Sequence, residues 1–171
     1  NIEADSLYAG IMIDTNNFLT KTGVRTFEAA AFLRRCGADV TRVRKMFREH
    51  VEDYRAKGEA IRNAELFRDH FAISVCPSEG LDSPTVVGAQ AANELLNIIG
   101  VKASFVLTDY RNTIYISARS IDEINVQIVM ERLGGGGHLN IAGAQLEHYS
   151  IAEARDVLKQ TLQKMLDEGD I

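Results

Sequence analysis

Apolar residues recur at helical spacing through the first third of the chain and give way to β-branched runs beyond it. Ala4, Leu7, Tyr8, Ile11 and Met12 predict a buried helix over residues 1–13 that delivers Asp14 at its end. After the loop KTGVRT, Thr26 is a candidate N-cap, and Ala29, Ala30, Phe32 and Leu33 mark the apolar face of a short helix stopped by Gly37. From Asp39 onward the stripe Val40, Val43, Phe47, Val51, Tyr54 and Ile61 predicts a long helix, interrupted at Gly58 and ending near Leu66. Its charged segment VEDYRAKGEAIRNAE suits a partly exposed, semi-rigid connector.

The remainder has a different rhythm. FRDHFAISVC predicts a strand, and residues 77–84 a loop in which Ser83 caps a helix running from about Thr85 to Ile99. Residues 101–109 and 113–117 flank DYRN as the two strands of a hairpin. A helix over 121–133 is broken by glycines, AGAQLEH is a short strand, and an amphipathic helix spans 151–168. The expected fold is α/β: an all-helical piece over residues 1–50, a linker helix over 51–66, and over 67–171 a mixed sheet flanked by helices.

Composition narrows the classes. With 171 residues, 46% hydrophobic and 25% charged, the chain has the balance of a globular protein rather than a disordered one. No apolar run approaches the roughly 20 residues of a membrane span, so a soluble piece is expected. A start on Asn1 rather than Met makes a segment of a longer protein the expectation. Cys36 and Cys76 lack metal-ligand spacing and are expected to be buried thiols in a reducing cytosol. Residues 21–70 hold twelve of the 19 Lys and Arg, yet the pI near 5.4 argues against a nonspecific duplex-DNA binder.

Four consecutive glycines, Gly134, Gly135, Gly136 and Gly137, precede His138. Each glycine loses more backbone entropy on folding than other residues, roughly 0.5 to 1 kcal/mol relative to alanine, so the run needs a reason. A flexible turn is one reading; the other is a loop whose backbone N–H groups approach a phosphate, with His138 donating beside it. Upstream, ISARS places Ser117 and Arg119 on one strand face, with Ser120 as a further hydroxyl, and the Arg119 guanidinium suits a phosphate. A surface salt bridge is the competing role for Arg119. Asp14, in AGIMIDTNNF, is either a helix-end cap or a metal ligand, and a single carboxylate does not complete a site that wants about six donors.

Together AGIMIDTNNF, ISARS and GGGGHLNIAGA resemble the DHH superfamily of phosphoesterases with its DHH-associated domain, over essentially the whole chain. Ile141 departs from that pattern where the family often has Ala, a change expected to affect packing behind the loop. DTNNF followed by TKTGVRTFEAAAFLRRCGAD is most similar to the cyclic-di-AMP phosphodiesterases of Gram-positive bacteria. That resemblance implies hydrolysis of cyclic di-AMP to linear pApA with two Mn²⁺ ions. Asp14 would match the last metal-binding carboxylate, and the other ligands would lie outside this segment. Ser117, Arg119, Ser120, Gly134 to Gly137 and His138 would bind substrate, with Asn17 and Arg25 as candidates on a facing lobe. The resemblance further implies a membrane-anchored parent at the cytoplasmic face, room for a homodimer, and a segment inactive by itself. An oligoribonuclease or adenosine bisphosphate phosphatase of the same superfamily is the alternative, and a noncatalytic nucleic-acid-binding domain is another.

Overall fold

A computed structural model describes residues 1–171, which form two compact units, Asn1–Glu49 and His50–Ile171. The first is helical: α1 (Ile2–Asp14), α2 (Val24–Arg35) and α3 (Val40–Met46). The second is α/β, with the order α4 (Val51–Arg62), β1 (Glu65–Phe67), β2 (Phe71–Val75), α5 (Pro84–Leu95), β3 (Ala103–Tyr110), β4 (Thr113–Ser120), α6 (Val126–Arg132), β5 (Gly136–His138), β6 (Ile141–Glu147), α7 (Ile151–Glu168). None of the helices is long and apolar enough to cross a membrane.

In the first unit α1 ends at Asp14 as its pattern predicts, but the helix is only partly covered. Ala4, Asp5 and Ala9 are its buried residues, whereas Leu7 is exposed. Asp5 is buried because it has partners: Arg42 donates from Nε at 2.7 Å and from Nη2 at 3.2 Å, and the Asp39 N–H donates at 2.7 Å. These bonds, with the guanidinium charge, hold its carboxyl below the usual range. α2 starts two residues before Thr26. Gly23 is its N-cap, and the Thr26 hydroxyl accepts the Gly23 N–H at 3.3 Å.

The long helix expected from Asp39 is two helices separated by residues 47–50. Charge explains the break: Arg44 and Lys45 close α3 and Glu52 and Asp53 open α4, each favourable at its own helix end. Most of the expected stripe is exposed, Val40, Val51 and Tyr54 included. α4 instead buries Ala56 and Ala60, one turn apart, against α5 and the sheet, and Gly58 lies within the helix without breaking it. The expected connector is therefore packed into the second unit.

The sheet order is β1-β2-β3-β4-β6-β5, mixed because β2 and β3 run parallel while the other pairs are antiparallel. FRDHFAISVC is not one strand. Arg68 and Asp69 take left-handed backbone conformations and turn the chain between β1 and β2. Arg111 and Asn112 do the same between β3 and β4. One face of the sheet carries the larger core, including Phe71, Phe105, Leu107, Ile114 and Ile116, under α6 and α7. The other face is covered over β2 and β3 by α4 and α5, through Ala72, Val87, Ala91, Leu95 and Val106. Cys76 belongs to this second core, where burial and the Glu59 charge push its thiol up to about 11. Cys36, expected to be buried, is exposed because it caps the C-terminus of α2.

Candidate functional site

The glycine run is built by α6. That helix ends in a Schellman arrangement, with the Gly135 N–H donating to the Met130 carbonyl at 2.8 Å and the Gly134 N–H to Glu131 at 3.0 Å. Gly134 takes the left-handed conformation this ending requires, with φ of 78°. Gly135 then passes so close to β6 that an added Cβ would lie 2.7 Å from the Ala144 Cα. Gly137 combines a φ of 149° with a Cβ position 2.5 Å from the Ala142 Cα. Gly136 has neither constraint: its φ is not positive, and a Cβ there would meet nothing within 4 Å. It borders an open cleft of about 470 Å³, also lined by Thr85, Tyr115, Ser117, Gly134, Gly143 and Gln145.

Strand register explains the shape of that cleft. Directly paired residues on neighbouring strands project to the same face. On the face left open beyond α5, Arg119, Ile141 and His138 form one row across β4, β6 and β5. Ser117, Gly143 and Gly136 form the next, and Tyr115 with Gln145 the third. The middle row has two glycines and a serine, so it is a trench between a basic row and an aromatic and amide row. The N-terminus of α5 opens onto the same cleft at Thr85. Pro84 supplies no N–H there and the Ser83 side chain makes no capping hydrogen bond, so the first turn of α5, the positive end of its dipole, borders the cleft without a side-chain cap.

The residues expected from sequence divide accordingly. Ser117, Gly134, Gly135 and Gly136 are brought together in the cleft. Arg119 shares the Ser117 face but does not line the cleft. Its Nε donates to Asn93 Oδ1 on α5 at 3.1 Å and its Nη1 to the Ala118 carbonyl at 2.8 Å, which leaves Nη2 outside these bonds. Burial draws its pKa below the usual arginine value. His138 is exposed at the far end of the same row, opposite Ile141. Ile141 does not pack behind the loop as expected; it is 45% exposed on the open face between Arg119 and His138.

Ser120 stands apart from this group. It is buried on the opposite face of β4, where its hydroxyl donates to the Ile124 carbonyl at 2.6 Å and so ties the strand end to the segment leading into α6. Strand alternation already separates it from Ser117 and Arg119. Thr85, Tyr115, Gly143 and Gln145 were missed from sequence. The Tyr115–Gln145 and Ser117–Gly143 pairings reveal the three strand residues and the packing of α5 reveals Thr85, and no motif encodes either.

Asn17, Arg25 and Asp14 belong to the first unit. Asn16, Asn17 and Phe18 are consecutive left-handed residues after α1, braced by the Phe18 N–H on Thr15 Oγ1 at 2.9 Å and by stacking of Phe18 on Phe27 at 5.5 Å. Arg25 lies in the first turn of α2. Asp14 is exposed, with Lys21 Nζ 3.8 Å from its carboxylate. Nowhere do three or more His, Cys, Asp or Glu side chains gather as a metal would need, so these residues do not fit a metal centre by themselves.

Residues 70–164 match the model of the DHHA1 domain. The chain belongs to the DHHA1 domain family. The DHHA1 match takes in β2 through most of α7, and so every residue of the cleft. Over 158 residues the chain is 44% identical to the cyclic-di-AMP phosphodiesterase PdeA of Listeria monocytogenes, covering 92% of this chain and 24% of that protein. It is 43% identical over 170 residues to the cyclic-di-AMP phosphodiesterase GdpP of Bacillus subtilis, covering 98% of this chain and 26% of that one. The chain thus spans about a quarter of the length of these relatives. In fold it resembles an exopolyphosphatase-related protein from Bacteroides fragilis, with a TM-score of 0.84 at 24% identity over 95% of this chain and 50% of the other.

Proposed function

We propose that this chain is the substrate-holding part of a cyclic-di-AMP phosphodiesterase, and that the trench between Ser117, Gly143 and Gly136 takes a phosphate of the dinucleotide. The observation that carries the reading is Gly136, the one glycine of the run that neither backbone conformation nor packing requires. A residue without a side chain, beside a cleft and unforced by the fold, is what close approach by a ligand calls for. The Ser117 hydroxyl and the N-terminus of α5 at Thr85 supply an anion with donors and favourable potential, whereas the Gly134 and Gly135 N–H groups are already spent on the Glu131 and Met130 carbonyls. Arg119, anchored through Nε and Nη1, offers Nη2 from the adjacent row, and His138 offers a ring N–H at its end. Identity to two cyclic-di-AMP phosphodiesterases supports the choice of substrate.

Hydrolysis itself is proposed for the longer protein. Two Mn²⁺ ions there would activate water and stabilise the leaving oxygen. Within this chain Asp14 would add one carboxylate to a ligand set completed elsewhere, and Asn17 and Arg25 would act near it. The chain's own contribution is to bind and orient the phosphate, which lowers the barrier by positioning. By itself the chain binds the dinucleotide without cleaving it, and attachment to a membrane is likewise a property proposed for the longer protein.

Gly136→Ala tests the reading. Because an alanine fits there without strain, chemical denaturation should show stability unchanged or raised by up to about 1 kcal/mol. Calorimetric titration with cyclic di-AMP should show affinity lowered by roughly tenfold or more, since the methyl group enters the trench. Unaltered affinity in a folded variant would sink the assignment of the phosphate to this cleft.

A further inference from the structure

The row beyond the trench has no assigned role. Tyr115 and Gln145 are direct cross-strand partners on β4 and β6, both line the cleft, and both project from the same open face as Ser117 and Gly143. Tyr115 is half-buried and its ring packs against Tyr110, with centroids 6.5 Å apart. Gln145 is exposed and carries a donor and an acceptor on one planar amide. Two residues along a strand separate Tyr115 from Ser117, a step of roughly 6.7 Å. Their chemistry differs from that of the opposite row, where Arg119 and His138 are the polar members.

We propose that Tyr115 and Gln145 form a nucleobase subsite, with the base stacked on the Tyr115 ring and its hydrogen-bonding edge read by the Gln145 amide. This rests on the assignment of a phosphate to the neighbouring trench. A nucleotide held there has its ribose to bridge the strand step and its base over the third row, while the basic row stays with the phosphate. An aromatic face and an amide suit a heteroaromatic base specifically: stacking engages its π-surface, and Gln pairs in bidentate fashion with the adjacent donor and acceptor of adenine. The Tyr115 hydroxyl and the Gln145 amide can also donate to a phosphate, but the aromatic face has no counterpart there, so stacking is what marks a base.

The test uses the 171-residue chain and two probes that share a phosphate and ribose but differ in the base, 5′-AMP and ribose 5-phosphate, titrated by NMR. The unaltered chain should bind AMP more tightly than ribose 5-phosphate. Tyr115→Ala should weaken AMP by roughly tenfold or more and leave ribose 5-phosphate unchanged, Tyr115→Phe should retain AMP affinity, and Gln145→Leu should weaken AMP alone. Gly136→Ala should weaken both probes. If Tyr115→Ala leaves the ratio of the two affinities unchanged, or lowers both equally, the base subsite is wrong. In that event a loss of both probes with Gly136→Ala would still uphold the phosphate assignment. If neither probe binds the unaltered chain, both assignments fall.

Discussion

Gly135 and Gly136 are neighbours in different surroundings: packing requires the first to lack a side chain and does not require it of the second. Gly135 is hemmed in by Gly143 and Ala144, so its smallness serves the contact with β6; a Cβ on Gly136 would meet nothing within 4 Å, and the residue borders the cleft. Sequence made the four glycines stand out as a run but could not rank them, because the end of α6 singles out Gly134 and the approach of β6 separates the others. Residue chemistry also sets a pH dependence in the first unit. The Asp5 carboxyl lies below its ordinary pKa of 3.8 because of the Arg42 side-chain bonds and the Asp39 N–H, and Asp39 is lowered by the N–H groups of Thr41 and Arg42. A carboxyl whose pKa is depressed by folding contributes stability that is fully present above its unfolded value and lost as pH falls through the folded one. The helices of residues 1–49 should therefore loosen on acidification below about pH 4. Asp5→Asn should flatten that profile, leaving the part due to Asp39. Amide NMR signals followed against pH check this, and an unaltered profile in the variant would remove the Asp5–Arg42 pair as its source.

At the level of elements, α7 is the clearest case of a sequence that states its own boundaries. Ser150 accepts the Glu153 N–H at 3.2 Å, Glu153 accepts the Ser150 N–H at 2.8 Å, and Gly169 closes the helix in a left-handed conformation. Ser150→Ala should destabilise the second unit by about 1 kcal/mol, measured by urea denaturation; no change in the midpoint would show that water replaces the cap. The β3–β4 hairpin was equally legible, since β-branched runs flank a short polar turn. Three features were not. The break between α3 and α4 is signalled by helix-end charges, which an apolar stripe continuing across it masks. β5 is a three-residue strand made partly of glycine, which no propensity would select, and it exists because β6 pairs with it. β1 is hidden between two other patterns: Glu65 and Leu66 read as the end of the connector helix and Phe67 as the start of the next strand, because the left-handed turn of Arg68 and Asp69 lacks the glycine that usually announces one. The site shows the same division. Ser117 and the glycine loop sit in recognisable motifs, whereas Thr85, Tyr115 and Gln145 enter only through packing and register.

On the scale of the whole molecule, the two units differ in how much they bury. The first has a core of Ala4, Leu33 and Ala38, and large apolar residues such as Leu7, Leu19, Phe27 and Phe32 remain exposed on it. The second has two cores on either side of a six-stranded sheet. Burial of apolar area is the main favourable term in folding, so the chain should unfold in two steps, with residues 1–49 first. Native-state hydrogen exchange checks this: amides in β3 and β4 should be the slowest, and equal protection in α1 and β3 would contradict it. The cleft is a consequence of the same architecture. One face of the sheet is fully roofed, while on the other the roof stops at α5 and leaves the Ile141, Gly143 and Gln145 side of β6 bare. A ligand bound there completes a layer that the polypeptide leaves unfinished, and so becomes part of the fold while it remains. By mass action its binding energy then adds to the stability of residues 50–171, so an occupied domain is a sturdier one.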